Sequence, residues 1–400
     1  MSWGHAISND LIHWRQLAPA LLPYENGLIY SGSAVFDGHN SSGLGNGGNG
    51  PLVAAFTHAR KPFGQAIATS HDIGRTWQLY KNGGHVVPNQ GLDDEERDPR
   101  IFWFEPAGHW IMVLWIKKNQ VRFFISQNLL DWRHASDFVG DGFYECPDFV
   151  QLPIDGDPHN TKWVLYDAAF HYWVGTFDGK KFTAEEGPLI GEYGANFYAA
   201  QTWNNTGSRV IQIGWMDGGE YPGMPFNQQL SIPCELTLRK TDYGFRIHRT
   251  PVKEVSVLRI WSDTICDTQL DPGPVLVIGE VGDLFDIESE FAVAADSCFE
   301  IQLYNLKIIY SAGQIQFLDR CAPLLPKNGN IRLRLLVDRT SIELFGNGGI
   351  MCMTSCFIPS AKNTDVRCRV LQGSLLIRTF TVHHLDSIWS VNPQLIESNI

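Results

Sequence analysis

The chain has 400 residues, 44% hydrophobic and 12% aromatic, enough for two domains with sizeable cores. Lys and Arg number 31 against 43 Asp and Glu, a formal net charge of -12, which argues against nucleic acid and against an anionic membrane surface as partners. No apolar run reaches transmembrane length, and neutral substrates such as sugars fit the charge balance.

The opening Met1-Ser2-Trp3-Gly4-His5 has no basic segment leading into an apolar one, so no signal peptide is read in it. Ser8-Asn9-Asp10-Leu11-Ile12-His13-Trp14 follows and returns as Ser70-His71-Asp72-Ile73-Gly74-Arg75-Thr76-Trp77. It returns again as Ser126-Gln127-Asn128-Leu129-Leu130-Asp131-Trp132, with a weaker echo in Thr176-Phe177-Asp178-Gly179-Lys180-Lys181-Phe182. A polar turn reverses the chain and an aromatic anchors the next strand. Repeats at roughly 50–60 residues are in the range of β-propeller blades.

Between these turns lie short aromatic or β-branched runs at 52–57, 110–116, 121–126, 163–166 and 210–215, each bounded by Gly, Asn, Asp or Pro. Almost nothing reads as a long amphipathic helix, so the chain is all-β. Residues 39–50 are glycine-rich, lack the Lys-Ser/Thr of a phosphate loop, and read as a flexible turn. Asn40-Ser41-Ser42 and Asn204-Asn205-Thr206 are glycosylation sequons, meaningful only in a secreted protein.

Two stretches carry candidate chemistry. Asp93-Asp94-Glu95-Glu96-Arg97-Asp98-Pro99-Arg100 runs into the apolar Ile101-Phe102-Trp103-Phe104. Pro99 biases Asp98 toward an extended backbone at a strand start, and the adjacent Arg97 favours an ionised Asp98. Phe143-Tyr144-Glu145-Cys146-Pro147-Asp148 sets a lone Glu145 among aromatic and apolar residues, a setting that suits a general acid. Two carboxylates in contrasting environments are the equipment of a glycoside hydrolase.

After about residue 250 the repeat stops. Alternating strands follow at 285–291, 299–303, 307–310, 314–318, 332–337, 341–345, 367–370 and 375–382, the pattern of a β-sandwich. Gly346-Asn347-Gly348-Gly349 reads as a hairpin turn. Six of the 8 Cys (Cys266, Cys298, Cys321, Cys352, Cys356 and Cys368) lie here, as disulfides or as buried thiols. No CxxC pair or Cys/His cluster has zinc spacing, and no metal or cofactor is expected.

Taken in order, the residues resemble glycoside hydrolase family 32, the invertase, inulinase and levanase family. The resemblance rests on Trp3-Gly4-His5-Ala6 with the first repeat, Tyr30-Ser31-Gly32-Ser33-Ala34-Val35, Arg97-Asp98-Pro99, Glu145-Cys146-Pro147-Asp148 and Phe197-Tyr198-Ala199-Ala200-Gln201-Thr202. Ile213-Gly214-Trp215-Met216, Pro233-Cys234-Glu235-Leu236 and the stretch from Val337 to Phe345 complete it. It implies a five-bladed propeller over about 1–250 and a sandwich over about 260–400. It also implies Glu145 as general acid/base and Asp98 as transition-state stabiliser, with Arg97, Trp3, Tyr30, Ser31 and Trp215 around a fructosyl pocket. The expected substrates are fructan (levan or inulin) or sucrose, and an extracellular or periplasmic setting fits a full-length form.

The family's nucleophilic Asp lies in a Trp-Met-Asn-Asp-Pro-Asn-Gly segment that has no counterpart ahead of Trp3. The first blade is therefore expected to be incomplete, with an exposed edge that leaves a homodimer open. The chain as read is expected to bind fructosides and to hydrolyse little; a non-catalytic fructoside-binding propeller is the alternative. Arabinan-cleaving propellers are a third reading, and their base would sit in the same segment. Asn196 and Cys234 stand where many members have Asp and Arg.

Overall fold

The computed structural model describes residues 1–46, 50–280, 282–358 and 365–389. Its first part is a ring of five sheets. The first has two strands, β1 (Ala6–Ser8) and β2 (Trp14–Gln16). The second has four, β3 (Leu28–Phe36), β4 (Leu52–Ala59), β5 (Gly64–Ser70) and β6 (Gln78–Leu79). The third runs β7 (Arg97–Phe104), β8 (His109–Lys117), β9 (Gln120–Ser126) and β10 (Arg133–Val139). The fourth holds β11 (Asp148–Ile154), β12 (Asp157–Tyr166), β13 (His171–Phe177) and β14 (Phe182–Ile190). The fifth holds β15 (Tyr198–Thr202), β16 (Ile211–Met216), β17 (Gln229–Leu230), β18 (Cys234–Thr241) and β19 (Gly244–Pro251). A single parallel bridge, Ile154 to Leu238, joins the last two sheets.

The repeated turn is the hairpin between the third and fourth strand of a sheet. In the first copy Asp10 Oδ1 accepts from Ile12 N (3.0 Å) and His13 N (2.8 Å), and Trp14 Nε1 donates to Leu11 O (3.0 Å). In the third copy Asn128 Oδ1 accepts from Leu130 N and Asp131 N, and Trp132 Nε1 donates to Leu129 O. Leu11, Ile73 and Leu129 all take positive φ at the same place in the turn. β1 and β2 are thus the counterparts of β5–β6 and β9–β10, the outer pair of a four-stranded sheet. Among the described residues no strand pairs with the other edge of β1.

Strands β4 and β5 are buried on both faces because neighbouring sheets cover them, which is why Val53, Ala54, Ala55, Phe56, Ala66 and Ile67 run without polar alternation. Polar bonds tie the innermost strands together. Buried Asp148 on β11 takes Arg100 Nε of β7 at 2.8 Å, Tyr166 OH at 2.7 Å and Thr202 N of β15 at 2.6 Å. Three sheets are joined at one carboxylate.

The second part is a sandwich of two six-stranded sheets. One is ordered β20 (Arg259–Leu270), β31 (Leu375–Leu385), β22 (Phe285–Val293), β27 (Asn330–Asp338), β28 (Ser341–Gly346), β29 (Met351–Cys356). The other is ordered β21 (Val275–Glu280), β30 (Asp365–Gln372), β23 (Cys298–Leu303), β24 (Leu306–Ser311), β25 (Gln314–Phe317), β26 (Arg320–Pro323). Their inner faces interdigitate through Phe291, Phe299, Ile301, Leu333, Leu335 and Phe380.

Ring and sandwich share a buried polar seam. Arg249 stacks on Phe197 (4.1 Å), donates to Thr354 Oγ1 (3.0 Å) and pairs with Glu192. Asn196 uses both ends of its amide there: Nδ2 donates to Asp217 O (2.6 Å) and Oδ1 accepts from Cys356 N (2.8 Å). Asp could not make the first bond. Cys234 is buried in the same region with its Sγ on Ile232 O. All eight cysteines are free thiols. The loop read as flexible is tied down in its first half, where Asp37 accepts from the backbone and hydroxyls of Ser41 and Ser42; 47–49 lie outside the described residues.

Candidate active site

The candidate residues gather where the innermost strands are irregular. β3 carries a bulge between Ile29 and Gly32, and Tyr30 and Ser31 occupy it. β7 carries one between Arg97 and Arg100, and Asp98 occupies it with φ 67. Glu145 and Cys146, just before β11, have φ 40 and 45. Such bulges re-aim side chains, and strained non-glycine backbone clusters at functional sites. Asp98 is therefore not extended, as Pro99 would favour. Its backbone N–H is pulled to buried Thr57 Oγ1 (2.9 Å), and that bond fixes the bulge. Thr57 in turn donates to Gln65 Oε1 (2.7 Å), and Gln65 donates to Glu96 O (2.9 Å).

Glu145 is gripped from two sides. Arg97 Nη2 and Nε approach its Oε2 at 2.7 and 3.1 Å, and the Tyr198 hydroxyl donates to Oε1 at 2.6 Å. The aromatic neighbours read from the sequence are present, but the carboxylate meets donors rather than an apolar wall. Arg97 is buried, stacks on Trp115 (4.1 Å) and donates to Glu95 O (2.9 Å). Burial works against its charge, but Glu145 and Asp98 outweigh that and raise its pKa. Burial, reinforced by Glu145, also raises the Tyr198 hydroxyl, which stays a donor.

Asp98 lies behind this pair. Its Oδ2 accepts from Cys146 N (2.9 Å) and sits 3.8 Å from Arg97 Nε. Adjacent Arg97 does not secure its charge: burial dominates and pushes Asp98 up to about 6. It is ionised at neutral pH and half-protonated near the acid edge of that range. Burial also raises the Cys146 thiol well above its ordinary value, so it is no nucleophile.

Trp215 pairs with Tyr198 across β16 and β15, and its Nε1 donates to Gln228 Oε1 (2.6 Å). Trp3 Nε1 donates to Tyr30 O (2.8 Å), and Tyr30 packs edge-on against Phe63. Arg97, Asp98, Glu145, Tyr198 and Trp215 thus form one connected cluster. Tyr30 and Ser31 on the next sheet, with Trp3 bonded to Tyr30, form a second group. The two are linked by Ser33 Oγ, which donates to Pro99 O (2.9 Å) and accepts from Ile101 N (2.8 Å). Reading the sequence assigned no role to Tyr198, Thr57 or Gln65. Tyr198 lay inside a quoted motif; the other two left no local signal. Among the described residues the carboxylates joined to the cluster are Glu145, Asp98 and Glu95, and Glu95 is held by Lys61 (2.5 Å).

A propeller and sandwich with two carboxyl groups and a buried arginine gathered at the irregular inner strands fit the glycoside hydrolase class. Residues 1–249 match the model of the glycosyl hydrolases family 32 N-terminal domain, and residues 283–384 match that of the family 32 C-terminal domain. The chain belongs to glycoside hydrolase family 32. It is 36% identical to a levanase of Bacillus subtilis over 98% of this chain and 65% of that protein. A levanase of Bacillus sp. strain L7 is 30% identical, with 97% of this chain and 48% of that protein covered. The chain thus spans two thirds or less of these relatives. The exo-inulinase of Aspergillus awamori superposes with a TM-score of 0.85 at 27% identity, covering 97% of this chain and 90% of its own.

Proposed function

We propose that this protein is a β-fructosidase of the retaining type, releasing fructose from β-fructan chains, with Glu145 as acid/base and Asp98 facing the charge that develops on the sugar. The observation that carries this reading is the clamp on Glu145 by Arg97 and Tyr198 beside buried Asp98. Arg97 can only donate, so it holds Oε2. A hydroxyl can donate or accept, so Tyr198 follows Oε1 between its ionised and protonated forms. Glu145 passes its proton to the glycosidic oxygen as the bond to the anomeric carbon breaks. The Glu145 carboxylate later takes a proton from the attacking water. Asp98, ionised above about 6, stabilises the positive charge that develops on the ring in each step, as the attacking carboxylate and then water reach the anomeric carbon.

Arg97, Trp3, Tyr30, Ser31 and Trp215 are proposed to line the fructosyl pocket. Fructan rather than sucrose is preferred because the tract from Gly218 to Gln229 leaves Met224 and Phe226 exposed, and Gln228 holds Trp215. Levanase and inulinase are the names of its relatives. A retaining mechanism also needs an attacking carboxylate. Glu145, Asp98 and Glu95 are already engaged, and among the described residues no further carboxylate joins the cluster through these bonds. That inventory favours a second reading, a propeller that binds fructosides without cleaving them. Comparing hydrolysis of levan, inulin and sucrose, alongside calorimetric titration with fructose, separates the two. Fructose binding that vanishes in Arg97→Ala supports the pocket in either case, and no binding by the folded protein contradicts both.

A further inference from the structure

We infer that the outer face of the sandwich carries a binding site for a tetrahedral oxyanion, a phosphoryl or sulfate group, between β21, β30, β23 and β24. Register places two rows of outward residues side by side. One is Val275, Arg369 and Glu300; the other is Val277, Arg367, Gln302 and Lys307. Val275, Glu300, Gln302, Lys307, Arg367 and Arg369 line a cavity of about 210 Å³, large enough for the ion with a small body attached.

Neutralising Glu300 needs one cation, and it has two: Arg369 Nη2 at 2.9 Å and Lys307 Nζ at 3.2 Å. Arg367 adds a third, 3.3 Å from Asp365. Among the described residues three cations therefore meet two carboxylates, on a chain whose overall balance is strongly acidic. The Nε atoms of both arginines are buried and have no hydrogen-bond partner among the described residues. A guanidinium offers Nε–H and an Nη–H as a fork that fits two oxygens of one oxyanion. Two such forks on alternate residues of β30, with Lys307 across the strand pair, suit a tetrahedral group better than a planar carboxylate. Gln302 Nε2 is fixed on Tyr304 O (3.2 Å), so this wall is held in place.

The test follows the arginine Nε–H signals of the 400-residue protein by nitrogen-proton NMR at constant ionic strength. Inorganic phosphate, sulfate and fructose 6-phosphate are titrated separately. The site predicts saturable shifts of two arginine signals, assigned by their loss in Arg367→Lys and Arg369→Lys. Affinity should fall about tenfold in Arg367→Ala, the loss of one charge-assisted fork. Arg332→Ala, at an exposed ion pair on the other sheet, should change nothing. Tighter binding of fructose 6-phosphate than of phosphate would make the ligand a sugar-borne group; equal binding would make it the free ion. Shifts no larger than those given by chloride, or an affinity unchanged in Arg367→Ala, would overturn the assignment. Circular dichroism identifies any variant that fails to fold, for which Arg367→Gln is the replacement.

Discussion

Replacing Asp98 with Asn should stabilise the protein while abolishing its function, with a pH signature that identifies the cause. Burial raises the Asp98 carboxyl from its ordinary 3.8 to about 6, which corresponds to about 3 kcal/mol of native-state cost for keeping it ionised. The folded pKa lies above the unfolded one. The preference for the protonated form is therefore full below pH 3.8 and lost as pH rises through 6. Asn resembles the protonated acid in shape and can still accept from Cys146 N through Oδ1. It leaves Arg97 with Glu145 and the Glu95 carbonyl. Urea denaturation followed by tryptophan fluorescence should show Asp98→Asn little changed at pH 3.5. It should be stabilised by up to about 3 kcal/mol at pH 8, with the gain appearing between these values. A difference independent of pH, or a loss of stability at pH 8, would refute the claim that buried charge at Asp98 is a strained feature of the site.

Glu343 sits buried in the seam with Oε1 on Ile232 N, Oε2 without a hydrogen-bond partner among the described residues, and a pKa pushed up to about 7 by burial. Glu343→Gln should raise the unfolding midpoint at pH 8.5 and leave it unchanged at pH 4, measured by calorimetry. Arg100→Met strands Asp148 inside three sheets and should cost about 3–5 kcal/mol, or prevent folding, by urea titration. Tyr198→Phe removes the hydroxyl bond to Glu145 without emptying its site. In any form that turns over, kcat should fall at least about tenfold with KM little changed, the loss of a hydrogen bond to a charged group.

Much of the ring was legible because its turns are local. Ser8, Asp10 and Trp14 bond within seven residues, and each copy repeats the same side-chain chemistry. Glu145, Asp98 and Arg97 were legible as motif residues. Asp98's left-handed backbone was not, because it depends on Thr57, far away in sequence on another sheet. The Tyr198 bond to Glu145 spans 53 residues and has no periodicity to betray it. The raised pKa of Asp98 was not legible for a related reason: adjacency to Arg97 is visible in sequence, whereas burial is a property of the packed ring. The grouping of Arg367 and Arg369 with Glu300 and Lys307 was not legible, because it depends on the register of β30, β23 and β24.

The account's central claim is that this ring is a fructosidase scaffold whose acid/base is Glu145. Its direct test is fructose released from levan by the protein and by its Glu145→Gln variant. Fructose release is predicted, falling about 10²–10⁴-fold in Glu145→Gln. Release that survives Glu145→Gln in the folded protein would contradict the assignment of the acid.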